Sequence, residues 1–179
     1  MLRNSLLAAT AALSGLLAAA PAFAFDVEEY NTARALFLEG TTGETTPKAI
    51  MDGLNGDWAG VGATSSDAAL AVVLEKTCQR RPTTFASLDD MHFTESLNGG
   101  KVVATYTLQT GNTFTKGTLP EQVYAMMGFD KLPSSKNLDR TKESVMRFWQ
   151  GTATLFRPSP NVLVIQLNQS APVFYVRCP

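Results

Sequence analysis

Few residues in this chain can do chemistry. There is one histidine, His92, and there are two cysteines, Cys78 and Cys178, among 179 residues. His92 follows Asp89 and Asp90, and in an extended strand Asp90 and His92 share a face, where an aspartate can orient an imidazole acting as general base. One histidine and two cysteines fall short of the usual zinc ligand sets, and so many serines and threonines offer no single hydroxyl nucleophile. An enzyme using His92 and Asp90 therefore ranks below a polar hairpin edge built from the same residues, since loops and strand starts are routinely polar. No catalytic residue, metal ligand or cofactor is assigned.

Two further groups carry binding chemistry. Val123, Tyr124, Met126, Met127 and Phe129 form a soft apolar stripe. Core packing is its ordinary use, but over an open end of a sheet the same side chains would line or cap a pocket for an apolar or amphipathic ligand. Tyr124, Met126, Met127 and Phe129 are the candidate ligand-binding residues. Lys131, Lys136, Arg140, Lys142 and Arg147, interspersed with Asp130, Asp139 and Glu143, read as a mixed-sign solvated surface.

The composition sets the frame for these groups. With 45% hydrophobic and 17% charged residues the chain reads as one globular domain. Its 15 basic and 16 acidic side chains give a net charge of -1, so a nucleic-acid partner is disfavoured. Residues 1–24 have the three parts of a secretory signal: Arg3, an apolar stretch from Leu6 to Ala20, and Ala22-Phe23-Ala24 as a small-x-small cleavage site. The mature protein is expected to begin at Phe25, without a membrane anchor, and to be periplasmic or secreted. Export puts Cys78 and Cys178 in an oxidising compartment, where an even pair joins.

The elements that must position these residues follow from periodicity. Residues 25–54 read as a helical N-terminal segment. Asp26, Glu28 and Glu29 open a helix over 26–39, Gly40-Thr41-Thr42-Gly43 stops it, and Thr46-Pro47 starts a second over 47–54. Residues 55–179 form the sheet-rich core. Trp58 sits in a glycine-rich first strand, and Ser66-Asp67 caps a helix through Cys78 that ends before Pro82. The period then becomes two: Thr83 to Ala86, His92 to Leu97, Lys101 to Leu108 and Thr113 to Thr115. A short helix follows over 119–129, then a polar loop over 130–142. Val145 to Phe156, Asn161 to Leu167 and Val173 to Arg177 complete a three-stranded meander.

Gly56-Asp57-Trp58 entering the first strand, with Arg177 in the last, resembles the calycin superfamily of lipocalin-like barrels. The resemblance implies that Arg177 covers Trp58 in a cation-aromatic contact sealing one barrel end. Small periplasmic protease inhibitors resemble the same plan, although no inhibitory segment can be matched here. The long helical N-terminus and the helix between the first two strands depart from the lipocalin pattern.

The expected fold is α+β: N-terminal helices, then a mainly antiparallel sheet curved into a half or full barrel, with a short helix inserted. The expected function is that of a small exported, non-catalytic binding protein holding an apolar or amphipathic ligand between sheet and helix. Its rivals are an interaction or inhibitor protein acting on a protein partner, and the His92/Asp90 enzyme. An exposed Phe25, Tyr30 or Phe37 would favour the protein partner.

Overall fold

Alternating inward and outward side chains, joined by tight turns, make a sheet that returns on itself. The computed structural model describes residues 26–40, 46–62 and 67–179. The signal segment, Phe25, the turn after Gly40 and the Ser66 cap lie outside the described residues. The strands are β1 (Gly56–Gly62), β2 (Thr83–Ser87), β3 (His92–Leu97), β4 (Val102–Thr110), β5 (Thr113–Thr118), β6 (Gly151–Ser159), β7 (Val162–Leu167) and β8 (Val173–Arg177). Each pairs antiparallel with the next, and β1 also pairs with β8, so the sheet is a closed eight-stranded barrel. Closure resolves the half-or-full alternative and removes both sheet edges.

Five helices decorate the barrel among the described residues: α1 (Val27–Leu38), α2 (Pro47–Met51), α3 (Asp67–Arg80), α4 (Pro120–Met127) and α5 (Lys136–Met146). The Asp26 carboxylate accepts the Glu29 N–H at 2.9 Å, and the Thr46 hydroxyl accepts the Ala49 N–H at 3.3 Å, so α1 and α2 start where capping chemistry places them. Helix α2 stops at Met51 rather than running to residue 54, which leaves the backbone carbonyls of residues 52–55 free to turn inward.

Burial on two faces explains the apolar runs of β7 and β8. Leu163, Ile165 and Tyr175 point into the barrel with Trp58, Phe85, Phe93 and Phe114. Val162, Val164, Phe174 and Val176 point outward under α1 and α3, against Tyr30, Ala33, Leu70 and Leu74. The Cys78–Cys178 disulfide fastens the end of α3 to the residue after β8, as the cysteine count implied.

The structure corrects one stretch. Residues 130–142 are not a polar loop: a short 3-10 turn at Phe129–Lys131 is followed by α5, whose Ser135 hydroxyl accepts the Leu138 N–H at 3.2 Å. Leu138, Val145 and Met146 supply an i, i+7, i+8 stripe, of which Leu138 and Met146 are buried. With so few apolar residues in the helix, the stripe is thin enough to pass for solvated loop. Because α5 takes Val145 and Met146, β6 begins at Gly151 and not at residue 145.

Candidate functional site

The two ends of the barrel differ, and the difference defines the site. Trp58 is fully buried at one end. Its indole N–H donates to the Leu54 carbonyl at 2.9 Å, and the Arg177 guanidinium lies 4.2 Å from its ring centroid. Trp58 and Arg177 are direct register partners across β1 and β8, which is how a motif at residue 58 meets the last strand. Arg177 also donates to the carbonyls of Gly53 and Asn55, and Arg157 to those of Ile50, Asp52 and Pro160. Gly56 has φ +130°, and a Cβ there would come within 3.2 Å of Arg177 Nη1, so the motif's glycine makes room for the arginine. Burial lowers both guanidinium pKa values, and for Arg157 the Arg177 charge adds to the effect. This end is sealed by α2 and two arginines whose donors meet backbone carbonyls.

Above Trp58 the interior is filled by rings. Phe85 meets Trp58 and Phe93 edge-on, and Phe93 stacks on Tyr106 with centroids 4.4 Å apart. Beyond Tyr106 the side chains no longer fill the space, and a cavity of about 820 Å³ reaches the opposite end. Such a volume suits a small ligand.

The inner end of the cavity is a buried polar cluster. Glu95 is only 1% exposed. Its Oε1 accepts the Tyr175 hydroxyl at 2.8 Å, and its Oε2 accepts the Tyr106 hydroxyl at 2.8 Å and Lys116 Nζ at 2.7 Å. Lys116 Nζ also stands 5.2 Å from the Tyr106 ring centroid and 5.5 Å from that of Trp149. Burial first, and then the Glu95 charge, push both phenols well above the ordinary tyrosine range, so each stays protonated and donates.

Leu97, Ile165, Leu167 and Val173 wall the cavity, and Arg147, Phe148, Trp149 and Ala171 stand at its rim. Phe148 is 67% exposed. Asn168 ties the rim together: its side-chain N–H groups donate to the carbonyls of Arg147 and Gln150, and its Oδ1 accepts the Thr152 N–H at 3.0 Å. Gly151, at φ +131°, has to be glycine because a Cβ would overlap the Asn168 amide.

The candidate residues from the sequence are placed as follows. Tyr124 and Met126 pack beside Val102, Val123 and Met146, Tyr124 also faces Phe129 and carries Lys142 over its ring, and Met127 is 49% exposed. This stripe seats α4 beside β4, where the Gln122 side chain accepts the Val103 N–H at 3.0 Å, and the cavity is lined by other residues. His92 lies at the β2–β3 turn, at the sealed side of the barrel. The carboxylate paired with His92 Nδ1 is Asp89, at 2.8 Å, rather than Asp90. Asp89 also accepts the Met91 N–H, and that bond, more than the histidine, lowers its pKa. Its geometry is that of an exposed turn.

Glu95, Tyr106, Lys116, Tyr175, Trp149 and Asn168 were not singled out from the sequence. A signal for two of them is present: Phe93-Glu95-Leu97 and Phe114-Lys116-Thr118 each put one charge on an otherwise inward strand face. Among the described residues, no three His, Cys, Asp or Glu side chains are grouped to hold a metal ion, and no helix is long and apolar enough to cross a membrane. No known protein family, curated protein or solved structure matches the chain.

Proposed function

We propose that the protein is an exported, calycin-like carrier that holds a small apolar or amphipathic ligand inside its barrel. The observation that carries this reading is the cavity of about 820 Å³, walled by aliphatic side chains and ending on the Glu95, Lys116, Tyr106 and Tyr175 cluster. Arg177 over Trp58 supports the calycin comparison, and the signal-like residues 1–24 together with the disulfide support export. The protein-partner reading looked to an exposed Phe25, Tyr30 or Phe37, of which Phe25 lies outside the described residues. Tyr30 is fully buried, and Phe37 packs edge-on against Phe156 and Phe174.

The test is titration of the mature protein with the neutral fluorophore N-phenylnaphthylamine. Saturable binding at one site per chain is expected. Ala171→Trp at the rim weakens it about tenfold or more while the melting temperature stays put, because surface loop substitutions typically change stability by under about 0.5 kcal/mol. His92→Ala leaves binding unchanged. No saturable binding by the parent protein overturns the carrier reading, and loss of binding in His92→Ala returns attention to the turn.

A further inference from the structure

We infer, on the reading that this cavity holds a ligand, that its inner end selects an uncharged oxygen acceptor, such as a ketone, ester or amide carbonyl, at the head of an otherwise apolar molecule, with Lys116 as the donor. Glu95 is occupied on both oxygens, by the Tyr175 hydroxyl on Oε1 and by the Tyr106 hydroxyl and Lys116 on Oε2. A lysine ammonium has three N–H donors. One of those on Lys116 goes to Glu95, and among the described residues the remaining contacts of Nζ are the ring faces of Tyr106 and Trp149. Lys116 thus keeps N–H donors that meet no acceptor, at a wall of the cavity, on a side chain 8% exposed.

Charge then decides what kind of acceptor fits. Lys116 and Glu95 cancel each other on side chains that are both buried. A ligand carboxylate would add a second anion beside Glu95, and a ligand ammonium would meet Lys116, each costly where the dielectric is low. A neutral oxygen takes the spare N–H with neither cost, since a hydrogen bond to a charged donor is stronger than one between neutral groups. From that head the chain of the ligand runs along Leu97, Ile165, Leu167 and Val173 toward Phe148 and Trp149 at the rim.

The experiment is displacement of bound N-phenylnaphthylamine from the mature protein by four probes of matched length: decane, methyl octyl ketone, decanoate and decyltrimethylammonium. The ketone should displace the fluorophore at about one tenth the concentration of decane or lower, with neither ion bettering decane. Lys116→Met should bring the ketone back to the decane value. The Glu95→Gln/Lys116→Met double variant, which leaves no unpaired charge in the barrel, should do the same and serves if the single variant fails to fold. Equal displacement by decane and ketone in the parent overturns the head-group inference while leaving the carrier reading standing. Displacement led by decanoate or decyltrimethylammonium overturns the claim that the head is uncharged. Displacement by none of the four, from a protein that does bind the fluorophore, overturns the inference and confines the carrier reading to aromatic ligands.

Discussion

At one end of the barrel Arg177 lies over Trp58, and at the other Lys116 stands between the rings of Tyr106 and Trp149. Both ends set a cation against a tryptophan, yet one is a plug and the other a site. The plug uses a flat guanidinium that gives two donors to the carbonyls of Gly53 and Asn55, with Arg157 doing the same for α2. The inward carbonyls at this end each have a donor, and Trp58 has no exposed surface. At the inner end of the cavity the cation is a lysine with one hydrogen-bond partner, its tryptophan is half-buried, and the space beyond is unfilled. Matched polar groups stabilise a closed end, and surplus donors beside a cavity leave work for a ligand.

The sharpest way to break this comparison is to remove one charge from the cavity's inner end. Glu95→Ala or Lys116→Ala strands a buried ion, and each should lower unfolding free energy by about 3–5 kcal/mol in urea titrations. The Glu95→Gln/Lys116→Met pair, neutral throughout, should recover most of that loss. If the single variants melt like the parent, water reaches the cluster freely, and the inner end of the cavity is solvated.

A smaller effect is expected at the plug. Arg177→Ala removes the cation-aromatic contact and two carbonyl partners but leaves no charge unpaired, so the loss should be about 1–2 kcal/mol. Trp58 emission should shift and Trp149 emission should not, with a Trp149→Phe background isolating the signal. A shift confined to Trp149 would mean that the two ends are coupled through the barrel wall.

This asymmetry was only half legible in the sequence. The plug could be read because its parts are local signals: a Gly-x-Trp triplet, an arginine in the last strand, and a cysteine pair with no other partners. The polar cluster is assembled from β3, β4, β5 and β8, and Glu95 meets Tyr175 only because the sheet closes, a register that no local pattern carries. Two lone charges on inward strand faces, Glu95 and Lys116, were the available hint. Helix α5 was hidden for a different reason, since Leu138, Val145 and Met146 are too few to stand out among its polar residues. The methionine stripe was read as apolar and helical, which it is, but periodicity does not say which neighbour a helical face will meet.

The smallest effect, absent at neutral pH, separates the two ends by their titration. Tyr106 and Tyr175 are buried and donate to Glu95, so burial and the carboxylate raise both phenol pKa values in the folded state. In the unfolded chain the same phenols ionise near the ordinary value of about 10. Above that pH the folded state keeps protons that the unfolded state has lost, and stability, fully present below about pH 10, declines as pH rises toward the folded values. At the plug, Arg177 and Arg157 stay charged over this range despite their lowered values, because a guanidinium is effectively always protonated in a protein. Arg177→Ala should therefore lower the whole curve of unfolding free energy against pH by a constant amount. The Tyr106→Phe/Tyr175→Phe variant should instead flatten its alkaline limb. A limb of unchanged slope would mean that some other group gates alkaline unfolding, and that the hydroxyls at Glu95 are not held in their protonated form by the barrel.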